Sequence, residues 1–167
     1  VSLTIKGEAR LMGTANINIE LKTPLFDTNN TIIVKGSMDK FNMDDLNPML
    51  THQASIKAQG NLDSMNFRFI ADNNRARGNL LMVYKNLQVT VTDEHGKETN
   101  KLNQRIKTFF ANKQLINSNP PPGHPIKAGT IRYERDPRKF IINYSFKSIL
   151  SGIQSTILVN PPVEIQE

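Results

Sequence analysis

The sequence predicts an α+β fold, mainly an antiparallel β-meander, in which a curved amphipathic sheet has its apolar face covered by two or three helices. Three observations support this prediction. The first hundred residues largely alternate apolar and polar side chains with period two, which is typical of half-buried strands. Turn-forming residues separate these runs at intervals of about ten residues, as consecutive antiparallel strands require. From Asp136 onward the period becomes helical.

The length and composition indicate one domain. A chain of 167 residues with 38% hydrophobic and 22% charged residues is neither disordered nor a membrane bundle, and it is long enough for a modest core. We expect a single domain over residues 1 to 160. Pro161 and Pro162 stop any helix, so residues 161 to 167 are predicted to form an extended or disordered tail.

The strand runs place apolar side chains on one face of the predicted sheet. Ile17 and Ile19 alternate with asparagines, and Phe67 and Phe69 flank an outward-facing arginine. In the run from Val83 to Val91, alternate residues share one parity, and Lys85 interrupts this otherwise apolar row. We therefore expect Lys85 to lie near a strand edge or a bulge. The candidate core or groove residues are Ile17, Ile19, Phe67, Phe69, Val89, Val91, Ile142, Phe146, Ile149 and Ile153.

Two helices are predicted before the last one. Asn42 is a suitable N-cap, with acidic residues in the following turn, and Pro48 either keeps this helix short or starts a second turn. A second helix is expected over residues 98 to 112, where Leu102 and Ile106 begin an apolar stripe.

The segment from Asp136 to Gly152 has three interpretations: a helix that docks on a membrane, one that covers a sheet, or one that binds nucleic acid. An apolar stripe recurs at Ile142, Phe146, Ile149, Ile153 and Ile157. The opposite face carries one charge, whereas a membrane-surface helix usually has several cations there. This favours a sheet-covering helix, in which Gly152 is a close-packing or loosening point.

The positive charge is concentrated near the C-terminus. Residues 1 to 100 hold 11 basic and 11 acidic residues, whereas residues 101 to 167 hold 10 and 4. Four cations form a basic shoulder at the start of the last helix: Arg132, Arg135, Arg138 and Lys139. Because cations there oppose the helix dipole, we expect Arg135 or Arg138 to pair with Glu134 or Asp136, or to meet an external anion. The basic shoulder is the candidate contact for a lipid headgroup or another anion, and a solvated basic surface is the alternative.

The sequence offers no chemistry for an enzyme. Cysteine is absent, and His52, His95 and His124 have no partner at metal-ligand spacing. No phosphate-binding glycine loop or nucleophile elbow occurs. Only Phe67 and Phe69, around Arg68, interleave aromatic and basic residues as RNA-binding sheets do. We therefore expect no catalytic residues, no metal, no cofactor and no nucleic-acid partner.

Several segments resemble one protein family. They are residues 36 to 50 (GSMDKFNMDDLNPML), 55 to 91, 101 to 120 and 135 to 153. The most specific parts are the Leu46-Asn47-Pro48 turn, a hairpin-like unit over residues 76 to 87, and Arg135-Asp136 before the last helix. Together they resemble the C-terminal region of AsmA-like proteins of Bacteroidetes-type bacteria.

The resemblance implies a large envelope protein, anchored in the inner membrane by an N-terminal helix, whose periplasmic strands form an open groove with an apolar inner face. It also implies a role in phospholipid transport to the outer membrane or in outer-membrane assembly. The chain begins with VSLTIKG, without an initiator Met, so we expect it to be a piece of a longer protein. The expected partners are phospholipid or a membrane surface, other envelope proteins, and the rest of its own chain.

Two functions are compatible with these patterns. In the first, acyl chains lie on the apolar strand faces and the basic shoulder meets phosphate headgroups. In the second, the chain is a structural or protein-interaction module whose sheet is fully covered by its own helices.

Overall fold

The fold, taken from a computed structural model, is mainly an antiparallel sheet accompanied by two helices. The structure describes residues 1 to 92 and 115 to 159. The strands are β1 (Ser2–Leu11), β2 (Ala15–Pro24), β3 (Ile32–Met38), β4 (Phe41–Asn42), β5 (Ile56–Ala71), β6 (Arg75–Val91) and β7 (Ala128–Glu134). Helix α1 is Asn47–Ala54, and helix α2 is Ile141–Ile157.

The strands form a meander, as the sequence predicts. Within the described residues, one seven-stranded sheet has the order β1-β2-β3-β5-β6-β7, and β4 pairs with β5 away from this path. Every pairing is antiparallel. Short turns suffice for most of these connections, because antiparallel neighbours meet at the same end.

The strand register aligns apolar side chains into rows that cross the sheet. One row runs through Ile5, Leu21, Val34, Phe69, Gly78 and Ile131, from β1 to β7. A parallel row places Ile17, Met38, Met65 and Met82 side by side. Because a one-residue slip would turn a whole strand over, these rows fix the register of the sheet.

A bulge in β6 changes which residues face the core. The β5–β6 register shifts between Gln59 and Asn61, opposite Asn86, whose φ of 57° is left-handed. The prediction that Lys85 lies near a bulge is therefore confirmed. However, the alternate residues from Val83 to Val91 do not all lie on one face. Met82 and Tyr84, which are even-numbered, are buried before the bulge, and Leu87, which is odd-numbered, is buried after it. The predicted hairpin-like unit over residues 76 to 87 is also wrong, since these residues form one continuous strand.

The predicted helix after Asn42 forms as two consecutive pieces. Asn42 caps a single 3-10 turn, Met43–Leu46, and its side-chain oxygen accepts a hydrogen bond from the Asp44 amide at 3.0 Å. Pro48 then lies in the first turn of α1, where its missing amide costs nothing. Pro48 thus starts the second piece, which is one of the two outcomes expected for it.

Helix α2 packs on β6 and β7 through small side chains. Its buried residues include Tyr144, Ser148, Gly152 and Thr156, which recur every four residues. A Cβ on Gly152 would lie 2.7 Å from the Ile131 side chain and 3.0 Å from Leu80, so the helix backbone lies directly on the sheet. Gly152 is therefore a close-packing point, which is one of the two outcomes expected for it. The predicted contact stripe is displaced, because Ile142 is 79% exposed.

The same helix satisfies the outer edge of the sheet. The amide of Thr130 donates to the Ser155 hydroxyl at 3.0 Å, and the amide of Arg132 donates to the Ser151 hydroxyl at 3.1 Å. These strand amides point away from β6, where an edge strand usually leaves them to solvent. The uncharged serines on the helix thus accept hydrogen bonds from the outward-pointing amides of β7.

Two predicted segments, the helix over residues 98 to 112 and the tail over residues 161 to 167, lie outside the described residues. In the described ranges, no helix is both long enough and apolar enough to cross a bilayer.

Candidate functional site

An apolar groove lies between the sheet, the segment Met43–Ala54 and helix α2. Its cavity has a volume of about 200 Å³. The sheet contributes Leu11, Ile17, Met38, Phe41, Ile56, Ala58, Leu62, Met65, Phe67, Met82, Leu87 and Val89. The helical segments contribute Met43, Leu46, Met49, Leu50, Phe146, Ile149, Leu150, Ile153, Gln154 and Ile157. Among these described residues, Gln154 alone has a polar side chain.

The groove follows from how α2 is seated. Because Ser148, Gly152 and Thr156 face the sheet, the larger side chains of the helix are turned sideways. Phe146, Ile149 and Ile153 therefore line the groove. On the opposite side, the first turns after Asn42 direct Met43 and Met49 into the same space.

Methionine is concentrated in the groove. The chain has six methionines, all in the described ranges, and five of them line the groove: Met38, Met43, Met49, Met65 and Met82. Met has an unbranched, polarisable side chain that adapts to irregular apolar partners. None of the five methionines is among the predicted groove residues, although Met65 alternates with polar residues in SMNF.

The predicted apolar residues fall into four environments. Ile17, Phe67, Val89, Phe146, Ile149 and Ile153 line the groove. Phe69 is 1% exposed in the core, and Ile19 is partly buried against it. Val91 is half-buried at the end of β6. Ile142 belongs to neither the core nor the groove, because it precedes the part of α2 that contacts the sheet.

The residues of the basic shoulder are placed separately. Arg132 is on the exposed face of β7, opposite Arg77 in register. Arg138 pairs with Asp136, with Nε 3.0 Å from the carboxylate, as one of the expected pairings has it. Lys139 is exposed. None of the four cations is among the described residues that line the groove.

Arg135 contributes to the seat of α2. Its guanidinium lies 5.6 Å from the centre of the Tyr144 ring and donates to the Asn73 side chain at 3.1 Å. The Tyr144 hydroxyl donates to the Asp72 carbonyl at 3.3 Å. Burial, reinforced by the negative charge of Asp72, raises the pKa of Tyr144 to about 12. Tyr144 is therefore neutral at ordinary pH and joins α2 to the β5–β6 turn.

The groove can bind by apolar contact alone. Its side chains supply no acid, base or nucleophile, and in the described part of the chain no cluster of His, Asp or Glu is arranged to hold a metal ion. Burial of a ligand's CH₂ groups, at about 0.8 kcal/mol each, would be the source of affinity.

The chain matches no protein-family model, no curated protein and no solved structure.

Proposed function

We propose that this chain is a non-enzymatic segment of an envelope protein that handles phospholipid acyl chains. The observation that carries the proposal is the apolar groove of about 200 Å³, in which Gln154 is the one polar side chain among the described lining residues. A site with this lining recognises a hydrocarbon chain and gives no orientation to a polar ligand.

The dimensions of the groove favour part of a single acyl chain. Ligand pockets for small molecules are usually about 300 to 1,000 Å³, so this cavity is too small for a whole lipid. The rows that contain groove residues reach β1 at Gly7, Ala9 and Leu11, and the neighbouring rows end at Leu3 and Ile5, which are 48% and 53% exposed. A longer chain would extend along these rows, and the methionines would adjust to its kinks.

The proposal includes the wider setting. We propose that the sheet is curved, that the helices cover only part of its apolar face, and that the chain is AsmA-like. On this proposal the parent protein is anchored in the inner membrane, and the chain works in the periplasm in lipid transport or outer-membrane assembly. The alternative is a structural module without lipid. The close packing of α2 on Gly129 and Ile131 favours that alternative, but only for the part of the sheet that β6 and β7 form.

The groove can be tested by filling it. The chain has no tryptophan, so Ile149→Trp both obstructs the groove and introduces a fluorescent reporter. Ile142→Trp is the matched control, because the same helix carries this residue outside the groove at 79% exposure. We expect native mass spectrometry to detect co-purified lipid on the parent chain and on Ile142→Trp. We expect at least a tenfold loss of fluorescent-lipid uptake in Ile149→Trp. If the unmodified chain carries no co-purified lipid and takes up no fluorescent lipid, the lipid proposal is wrong and the structural alternative is favoured.

A headgroup role for the basic shoulder needs a separate test. Arg135 and Arg138 contact Tyr144 and Asp136, so the test uses the other two cations of the shoulder, Arg132 and Lys139, which are exposed. We expect the double variant Arg132→Glu/Lys139→Glu to bind anionic vesicles more weakly than Lys22→Glu/Arg68→Glu, which makes the same charge change elsewhere. Equal binding by the two variants would exclude the shoulder as a headgroup contact.

A further inference from the structure

The two edges of the sheet differ. On β7, serines of α2 accept hydrogen bonds from the amides of Thr130 and Arg132. On β1, nine of the ten residues are exposed and Leu11 is half-buried, and no described segment lies beyond the strand. A strand edge of this length, unpaired within the described residues, is a template for another strand.

The hydrogen-bonding pattern shows which groups of β1 point outward. The Leu25 amide donates to the Val1 carbonyl at 3.0 Å, so the backbone amides and carbonyls of odd-numbered residues of β1 point toward β2. Consistently, the backbone amides and carbonyls of even-numbered residues of β2 point toward β3, since the Asp39 amide donates to the Asn16 carbonyl. The amides and carbonyls of Thr4, Lys6, Glu8 and Arg10 therefore point away from the sheet.

We propose that this edge pairs with β1 of a second copy, antiparallel, about a two-fold axis at Gly7. In this register Lys6 lies opposite Glu8 of the second copy and Glu8 lies opposite its Lys6. Leu3 lies opposite Leu11, so the apolar rows continue across the pair of sheets. Both faces of the edge are thus self-complementary, as a two-fold interface requires.

Charge distinguishes this register from its neighbours. Side chains stay on matching faces of the two sheets only when the two-fold axis moves by a whole residue, to Lys6 or to Glu8. A slip in one direction places Lys6 opposite Lys6, and a slip in the other places Glu8 opposite Glu8. Like charges directly opposite one another are unfavourable. Only the register at Gly7, among these three, pairs opposite charges.

The cross-strand neighbours of Lys6 and Glu8 support the same pairing. Along its own row, Lys6 is followed by Glu20 and Lys35, so the charges alternate across three strands, with Lys6 3.4 Å from Glu20. Glu8 is followed by Asn18 and Ser37 and meets no cation along its row. The Glu8 of a second copy would lie next to Lys6 and continue the alternation of charge along that row. The Lys6 of the second copy would lie next to Glu8 and supply the cation that its own row lacks. A Cβ on Gly7 would meet nothing within 4 Å, which leaves room for close backbone approach at the axis.

Charge reversal tests the pairing in the whole chain. Lys6→Glu and Glu8→Lys each make both edge pairs repulsive, and we expect each to weaken the dimer about tenfold in sedimentation equilibrium. Mixing the two variants restores opposite charges, so the mixture should form heterodimers with the affinity of the parent chain. Circular dichroism checks that each variant is folded.

Cross-linking tests the register directly. The chain has no cysteine, so Gly7→Cys introduces a single thiol at the axis. Directly opposite residues of this kind are about 4.5 Å apart between Cα atoms, within the range of a disulfide. Ala9→Cys is the matched control, because two copies of position 9 would be about 13 Å apart. We expect mild oxidation to give a covalent dimer from Gly7→Cys and none from Ala9→Cys.

Three results would overturn the proposal: a parent chain that stays monomeric up to about 1 mM, equal cross-linking of the two cysteine variants, or an assembly larger than a dimer. Failure of the two charge variants to associate when mixed would exclude the register. Leu11 of β1 also lines the groove, so association and cross-linking are measured without added lipid, and failure of this pairing is then distinguishable from failure of the proposed lipid site.

Discussion

At the scale of single residues, two glycines control how closely α2 approaches the sheet. A Cβ on Gly129 would collide with the backbone carbonyl of Gly152, and a Cβ on Gly152 would lie 2.7 Å from Ile131. The carbonyl belongs to a helix backbone and cannot rotate away. Close helix–sheet contact therefore depends on these two positions, of which the sequence indicates only Gly152, as a close-packing or loosening point.

We predict that Gly129→Ala lowers the free energy of unfolding by about 1 to 3 kcal/mol, the usual cost of overpacking. Gly152→Ala should cost less, because alanine gains about 1 kcal/mol of helix propensity. Gly7→Ala is the control, since nothing lies within 4 Å of its Cβ, and it should change stability by less than about 0.5 kcal/mol. Urea denaturation measures all three, and equal stability of Gly129→Ala and Gly7→Ala would refute the close contact.

The turn between β5 and β6 depends on one carboxylate. Asp72 accepts hydrogen bonds from the amides of Asn74 at 2.7 Å and Arg75 at 2.9 Å. The Arg75 amide, followed by that of Asn74, holds the pKa of Asp72 below its usual value of 3.8. The ionised form therefore stabilises the fold above pH 3.8, and this stabilisation is lost as the pH falls through the lower folded pKa.

We predict that Asp72→Ala costs about 1 kcal/mol at neutral pH, the usual net value of lost hydrogen bonds. The difference from the parent chain should shrink as the pH falls below 3.8, because the parent carboxylate is then protonated. Denaturation at a series of pH values measures it. A difference that stays constant down to the acid limit would show that the hydrogen bonds to the carboxylate are not its source.

At the scale of elements, the sequence predicts strands better than it predicts faces. Alternation identifies the meander because each strand contributes an independent period-two signal. It misassigns the faces of β6 because a single left-handed residue, Asn86, inserts one position and reverses the parity. It also displaces the contact face of α2, since Ser148 and Thr156 are counted as polar although their hydroxyls bond to carbonyls of the same helix.

The serines of α2 lead to a prediction for the β7 edge. Replacing Ser151 and Ser155 with alanine removes the acceptors of the Arg132 and Thr130 amides. We expect a loss of about 1 to 2 kcal/mol in the free energy of unfolding. Amide hydrogen exchange of these two strand residues should become faster. Ser145→Ala is the control, because its hydroxyl makes no hydrogen bond within the described residues. Unchanged exchange in the double variant would show that water replaces the serines without cost.

At the scale of the whole molecule, the packing of α2 divides the apolar face. The part over β6 and β7 is in close contact with the helix, whereas the rows through β1 to β3 become more exposed toward the edge. The sequence indicates how much apolar surface the strands carry. It could not indicate where the groove lies, because that depends on the rotation of α2 and on the five methionines that three separate strands and one short helical segment bring together.

If acyl chains occupy the groove, ligand and stability are linked. A ligand that binds only the folded state adds about 2.7 kcal/mol at a free concentration one hundred times its Kd. We therefore predict that dodecanoate, kept below its micelle concentration, raises the Tm of the parent chain and of Ile142→Trp in proportion to the logarithm of its concentration. Ile149→Trp should show little shift, because the indole occupies the space of the ligand. Parallel shifts in both tryptophan variants would place the binding outside the groove.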